Sequence, residues 1–318
     1  MTDIAAFCLN PAIDYSSEAE RVRPTHKVRT DKDAFDPGGG GVNVARVLKE
    51  LGAEADLVCL AGGVTGALLD ELLGRDGIPR RLVRTREPTR INHVVFERES
   101  GREFRFVAAG PTVDPSELDA FFAAAGAAEA RYFVASGSLP KGVPADSWTR
   151  LAAIARGKGA RFVLDTSGEP LRAALAGGGV FLAKPSIGEF EALVGRKLPG
   201  AAEQDEAASA FVKSGRVEML AVSLGAAGAL LATRQGVFRR AAPDVEPRSA
   251  VGAGDSFLAA MVLALAEGAD AEAALAEGVA AGTAAILTPG TGLCGRQEVE
   301  RMRKLIAGGG LPARAAIS

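Results

Sequence analysis

Residues 132–164 read YFVASGSLPKGVPADSWTRLAAIARGKGARFVL. Tyr132 to Ala135 is a continuous apolar run, Ala145 to Ala155 carries apolar residues at helical spacing and stops at Gly157, and Arg161 to Leu164 is a second continuous run. Strands that are apolar at every position are buried on both faces, and two of them joined through a helix form a parallel pair. The alternation extends outward. Asp56 to Ala61, Val180 to Ala183 and Met219 to Ser223 read as further buried strands. Val42 to Leu51, Thr65 to Leu73 and Phe190 to Val194 read as helices closed by Gly52, Gly74 and Gly195. The pattern predicts one α/β domain over residues 1–318, with a mostly parallel central sheet covered by helices on both faces.

Two stretches break the pattern. Arg90 to Ala108 holds two β-rich runs around Glu99 to Arg102, a hairpin signature, and residues 11–36 are charged, lack helical period and can supply further strands. A small β-flap beside a large α/β body follows. With the turn centred on Ser100-Gly101, Arg105 lies opposite Phe96 and on the same face as Arg90. The two arginines are then ~20 Å apart along a straight ribbon, so a curled or dimer-paired flap is needed to bring both to one ligand. The tail Gly308 to Ser318 is expected to fray.

The bulk properties narrow the function classes. The 318 residues are 47% hydrophobic with mean hydropathy +0.13, enough for a large core, and disorder is excluded. A net charge of -2 from 37 basic and 39 acidic residues gives no electrostatic footprint for nucleic acid or an anionic membrane. Cys8, Cys59 and Cys294 are far apart with no C-x-x-C, against a disulfide framework or a zinc site. The start MTDIAAFCLN lacks a basic leader, and no uncharged run reaches the ~18 apolar residues of a membrane span, so a soluble cytoplasmic protein is expected. His26 and His93 fall in the flap and form no metal or triad pattern.

Four glycine-centred loops lie where strands end. Pro37-Gly38-Gly39-Gly40-Gly41-Val42-Asn43 precedes a helix, where bare backbone can approach a ligand. It lacks the Lys-Ser/Thr of a P-loop and the third glycine of a dinucleotide fingerprint, and alone it reads more readily as a flexible helix start. Val251-Gly252-Ala253-Gly254-Asp255-Ser256 opens the apolar helix Phe257 to Ala266, with three amides placed to meet a phosphate. Taken alone, Asp255 reads as a helix cap. Val222 to Gly228 suits close contact with a nucleotide, or is a plain turn. Lys184 to Glu189 starts a helix, and Ser186 with Glu189 completes an S-x-x-E capping box. Asp14 and Asp165 stand at strand ends, where parallel sheets open their ligand crevice, although Asp165 serves equally as a cap.

In order from about residue 9 to 294, the segments LNPAIDYS, PGGGGVNVARVLKELG, AGGVTG, SGSLPKGV, DTSGEPL, KPSIGEFEALVGRKL, VSLGAAGALLA, SAVGAGDSFLAAM and GTAAILTPGTGLC resemble the ribokinase-like, pfkB-type carbohydrate kinases, and among them the phosphofructokinases. The resemblance implies a ribokinase-like three-layer α/β/α sandwich with a small β-lid formed by about residues 11–36 and 89–109. It implies ATP-dependent phosphorylation of a ketose phosphate in glycolytic sugar metabolism, with Mg²⁺ and K⁺ as cofactors and a homodimer formed through the lid.

Under this resemblance Asp255 is the general base, and Gly252, Ala253 and Gly254 form the anion hole. Asp14, Gly38, Gly39, Asn43 and Ser138 hold the sugar. Lys27, Arg90 and Arg105 meet its phosphate. Lys184, Ser186, Ser223, Gly225 and Gly228 contact ATP, and Glu189 positions Mg²⁺ through water. Ser249 and Val251 offer carbonyls to K⁺. Ser186 departs from the family, whose N-x-x-E motif has Asn there. Gly40, where related kinases for fructose 1-phosphate and tagatose 6-phosphate carry Lys, favours fructose 6-phosphate, and those two sugars remain the alternatives. A non-catalytic sugar-phosphate-binding regulator is the reading from another class, against which the GAGD loop with Asp255 argues.

Overall fold

The computed structural model describes residues 3–308; apart from Gly308, the tail expected to fray lies outside the described residues. Along the chain, β1 (Ile4–Cys8) leads into β2 (Ala12–Ala19), β3 (Thr30–Gly38), α1 (Gly40–Glu50), β4 (Ala55–Gly62), α2 (Gly63–Arg75) and β5 (Arg80–Thr85). The hairpin β6 (Arg90–Glu97) and β7 (Arg102–Phe106) follows. Then come α3 (Pro115–Gly126), β8 (Tyr132–Ser136), α4 (Ser147–Gly157), β9 (Arg161–Asp165), α5 (Gly168–Gly177), β10 (Val180–Ala183), α6 (Ile187–Val194), α7 (Ala201–Lys213) and β11 (Val217–Ser223). The described chain closes with β12 (Ala229–Thr233), β13 (Gly236–Arg240), α8 (Ala253–Ala266), α9 (Ala271–Ala285) and α10 (Arg296–Ala307).

Nine strands form the main sheet in the order β13-β12-β11-β10-β9-β8-β1-β4-β5. All neighbours from β5 to β11 are parallel, and β12 and β13 extend one edge as an antiparallel pair. The continuous apolar strands feed two cores, one on each face. Val47, Leu48, Leu258 and Met261 pack in one, and Phe7, Phe121, Trp148 and Phe162 in the other. The expected ribokinase-like α/β architecture is borne out. Helix ends differ in detail. Gly195 caps α6 in the left-handed conformation (φ 73°), but Gly74 and Gly157 lie inside the last turns of α2 and α4, and the chain reverses at Gly77 and Gly159.

The second sheet is the lid, four strands in the order β3-β2-β6-β7, with β2 and β6 parallel. The hairpin turn takes all four residues 98–101, so Arg105 faces Val94 and not Phe96. A shift of two residues preserves the alternation of faces, which keeps Arg90 and Arg105 on one side and brings their rows to ~13 Å. That side also carries Asp14, Ser16, Asn92, Val94 and Glu103, and it meets the body where Thr291 Oγ1 donates to Asp36 Oδ2 (2.8 Å) and Ser249 Oγ lies 3.2 Å from Glu103 Oε2. The opposite side carries a row of rings, Phe35, Tyr15, His93 and Phe106, with centroids 4.8, 4.5 and 6.2 Å apart in turn.

The turn into β12 rests on Gly228. Its φ is 95°, and a Cβ there would overlap the Arg240 carbonyl oxygen and approach the Ala242 nitrogen at 2.6 Å. Gly228→Ala is therefore expected to lose on the order of 2 kcal/mol of stability from the forced backbone conformation and the overlap. Chemical denaturation measures this, and an unchanged midpoint would show that the β12–β13 edge yields freely.

Candidate active site

From β1 the chain fills the sheet outward to β4 and β5, then returns to β8 and fills the other side. The carboxyl ends of β1 and β8 therefore flank the switch point, where open α/β sheets bind ligands. The four glycines ahead of Val42 let α1 press onto both strand ends. A Cβ at Gly38 would overlap the Asp14 carboxylate, at Gly40 the Ser136 hydroxyl, and at Gly41 the Phe7 carbonyl. This run is a packing requirement more than a flexible start, and it sets Asn43 against Asp255 and Gly38 against the Asp14 carboxylate.

Asp255 lies in the first turn of α8, whose N-cap Gly252 is left-handed (φ 68°) with no side-chain cap bond. Asp255 is no cap. Asn43 Nδ2 donates to its Oδ2 and Ser136 Oγ to its Oδ1, both at 3.0 Å. The first amides of α8 have no partner within the helix and add its dipole to the same spot. Burial raises the Asp255 carboxyl to about 6, helped by the nearby Asp165 charge and opposed by the Asn43 bond, Lys184 and the Ser136 bond. A carboxylate poised there can take a proton from a hydroxyl near neutral pH.

On the lid side, Asn92 Nδ2 donates to Asp14 Oδ1 (2.8 Å), and burial raises the Asp14 carboxyl against that bond and the charges of Arg90 and Arg46. Asn10 Nδ2 donates to the exposed Ser138 Oγ (3.1 Å) and to the Ala109 carbonyl. The Arg90 guanidinium is spent on the carbonyls of Asn10 (2.9 Å), Ala108 (2.8 Å) and Pro11 (3.4 Å), so here it ties the root of the lid to β1 and the segment after β7. Arg105 stays exposed, paired with Glu103 at 2.6 Å. Lys27 is not brought to these groups. It sits in the exposed loop between β2 and β3, whose Val22 amide binds Glu97 on the side of the lid opposite Asp14.

On the other flank, Lys184 Nζ pairs with Asp165 Oδ2 (3.1 Å) and lies 3.2 Å from where a Cβ of Gly254 would sit, directly against the glycine loop that opens α8. Burial disfavours the Lys184 ammonium, but Asp165, Asp255 and Glu189 outweigh it and raise its pKa. Ser186 and Ser223 form a bridge between the ends of β10 and β11, and the turn Gly225–Ala227 follows. The capping box is present, with Ser186 N donating to Glu189 Oε2 at 2.7 Å and Glu189 N to Ser186 Oγ at 3.4 Å. The Arg248 and Ser249 amides donate to the Ile286 carbonyl, Ser249 Oγ donates to the Gly290 carbonyl (2.9 Å), and the Val251 amide donates to Ser249 Oγ (3.2 Å).

Ser136, Asn10 and Asn92 escaped the sequence reading. Ser136 had a usable signal, since it ends a fully apolar strand at the switch point. Asn92 had only its even spacing from Arg90.

The ordinary carboxyl value for Asp255 is 3.8, so between there and about 6 the folded chain binds this proton more tightly than the unfolded one. The group's contribution to stability falls as pH rises through that window. Isotope-edited infrared titration is expected to find Asp255 half-protonated near pH 6. Ser136→Ala removes a bond to the ionised form and should move that midpoint upward; a downward move would mean that Ser136 does not stabilise the carboxylate.

Residues 2–298 match the pfkB family carbohydrate kinases. The chain is 42% identical over 308 residues to the ATP-dependent 6-phosphofructokinase isozyme 2 of Mycobacterium tuberculosis, covering 96% of this chain and 90% of that one. It is 38% identical over 303 residues to the isozyme 2 of Escherichia coli, covering 95% and 98%. Solved structures of phosphofructokinase-2 from Escherichia coli superpose with TM-score 0.92 in complex with potassium and 0.91 in complex with fructose 6-phosphate, and again 0.91 for its tetrameric inhibited form. At 37–38% identity, these structures cover 96% of this chain and 100% of theirs. With Asp255, the glycine loop that opens α8 and the buried Lys184 gathered at the switch point, this chain belongs to the pfkB family of carbohydrate kinases and is an ATP-dependent sugar-phosphate kinase.

Proposed function

We propose that the chain transfers the γ-phosphoryl group of ATP to the C1 hydroxyl of fructose 6-phosphate, giving fructose 1,6-bisphosphate and ADP. The observation that carries this reading is Asp255, held by Asn43 and Ser136 at the mouth of the α8 amides. The C1 hydroxyl gives its proton to Asp255 as its oxygen bonds to the γ-phosphorus and the bond to the ADP oxygen breaks. Phosphoryl transfer needs alignment and charge neutralisation more than covalent chemistry, and the amides of Ala253 and Gly254 with the Lys184 ammonium supply the latter. Asp14, oriented by Asn92, and Ser138, oriented by Asn10, bind sugar hydroxyls. Gly40 and the names of the relatives support fructose 6-phosphate over the other ketose phosphates.

Mg²⁺ enters on the ATP phosphates, with Glu189 beside it. Glu189 gives only one oxygen to the capping box and keeps the other for a metal-bound water. When bound, the ion neutralises charge on the transferring group. Ser249 and Val251, beside the anion hole, are the place for K⁺, by analogy with the potassium complex of the relative.

A homodimer through the lid accounts for two features. The aromatic row leaves Phe35 45% and Phe106 58% exposed, and the exposed loop of Lys27 is anchored through Val22 to Glu97 on that same side, which suits Lys27 to the phosphate of a second copy rather than its own. Tetramers, as in one form of the relative, would add a further contact. No described helix is long and apolar enough to cross a membrane, and a cytoplasmic location fits the relatives.

Asp255→Asn is expected to lower kcat by ~10² to 10⁴-fold with substrate affinities nearly intact, as for a lost general base. Near-normal turnover in the folded variant would remove Asp255 from the mechanism. Specificity is checked by kcat/KM for fructose 6-phosphate, fructose 1-phosphate and tagatose 6-phosphate at equal Mg-ATP. Fructose 6-phosphate should lead. A tenfold advantage for fructose 1-phosphate, about 1.4 kcal/mol, would overturn the substrate and leave the kinase standing.

A further inference from the structure

Glu103 has no part in the chemistry above, yet it sits between the two halves of the site. It lies two residues from Arg105 on β7, so both side chains point from the lid toward the body, on the side that carries Asp14. Two strand spacings and two residues place the Arg105 backbone about 12 Å from that of Asp14, within reach of one sugar phosphate. Glu103 Oε2 accepts from Arg105 Nη2 at 2.6 Å and lies 3.2 Å from Ser249 Oγ, whose proton goes to the nearer Gly290 carbonyl. Its side chain is only 11% exposed, and Oε1 is buried without a partner. A carboxylate left half satisfied in this way is an expensive feature unless an alternative state uses it.

We propose that Glu103 is a built-in competitor for the substrate's phosphate, occupying Arg105 until a phosphorylated ligand takes the guanidinium from it. This rests on the reading of Arg105 as a phosphate contact. A phosphate dianion and the Glu103 carboxylate repel each other at the low dielectric under the lid, so they cannot share Arg105 at full strength. The phosphate brings more charge and more acceptors and wins the exchange, whereas a sugar without phosphate has nothing to offer Arg105 and leaves the pair closed. Glu103 thereby lowers affinity for phosphorylated ligands, leaves that for unphosphorylated ones unchanged, and so moderates the grip of the site on phosphate. Its neighbour Ser249 stands three residues before Gly252, so the exchange takes place beside the loop that opens α8.

The test uses Glu103→Gln, which keeps shape and removes charge, Arg105→Ala, and the double variant. Steady-state KM for fructose 6-phosphate and competitive inhibition by inorganic phosphate are the two readouts. Glu103→Gln should lower both constants ~3- to 10-fold, the range for a half-screened charged pair, and leave the KM for ATP unchanged. In the Arg105→Ala background only the relief of direct repulsion remains, so the same change should give a clearly smaller gain. A higher KM for the sugar phosphate in Glu103→Gln, or an equal gain without Arg105, overturns the proposal, because Glu103 would then be positioning Arg105 or acting elsewhere. If Arg105→Ala alone leaves both constants unaltered, the phosphate reading of Arg105 falls and the proposal with it. If Arg105→Ala weakens phosphate binding while Glu103→Gln is neutral, only the competitor is lost.

Discussion

The Asp255 carboxylate, held between the Asn43 amide and the Ser136 hydroxyl, is the contact on which the site depends. Those three residues come from α8, α1 and β8, so one buried charge fixes the meeting of three elements more than 90 positions apart in sequence. Removing a charge from water is costly, and here two neutral donors and the more distant Lys184 ammonium offset the cost only in part. The residue of that penalty is what lifts the carboxyl to about 6. The same imbalance that weakens the fold makes a usable base.

Around this point the glycines work mainly through space. Gly38, Gly40 and Gly41 lie where any Cβ would enter the Asp14 carboxylate, the Ser136 hydroxyl or the β1 backbone. The close approach of α1 to the strand ends then leaves its Asn43 facing Asp255. Gly254 does the same on the other flank by leaving room for Lys184. Tight packing and charge placement are a single constraint here, since a helix start held an ångström further away would lose the bonds to Asp255.

The lid is a separate sheet with its own economy. One face is polar and docks on the loops at Ser249 and Thr291, the other is a row of rings. The alternation of a β-strand makes this division unavoidable once Asp14 and Tyr15 are neighbours. Arg90, bound to three carbonyls at the root, shows how a residue of phosphate-binding type serves as a structural strap while the lid rests against the body.

The sequence by itself determined the α/β class, the strand and helix order of the body, the lid hairpin and the loops that carry the site, because continuous apolar runs, helical spacing and glycine stops are local signals. It also marked Asp255, Asn43, Lys184 and Asp14 as chemistry-bearing through their loops and the family resemblance. Only the tertiary structure decided what each of them touches. Ser136 became a partner of Asp255 because β8 lies beside β1, an adjacency no local pattern encodes. The lid register moved by two residues because the turn took four, and Lys27 and Arg90 left the positions their residue types suggested. Which side chains meet depends on pairing across many tens of residues, and that pairing is settled by packing energy summed over the whole core.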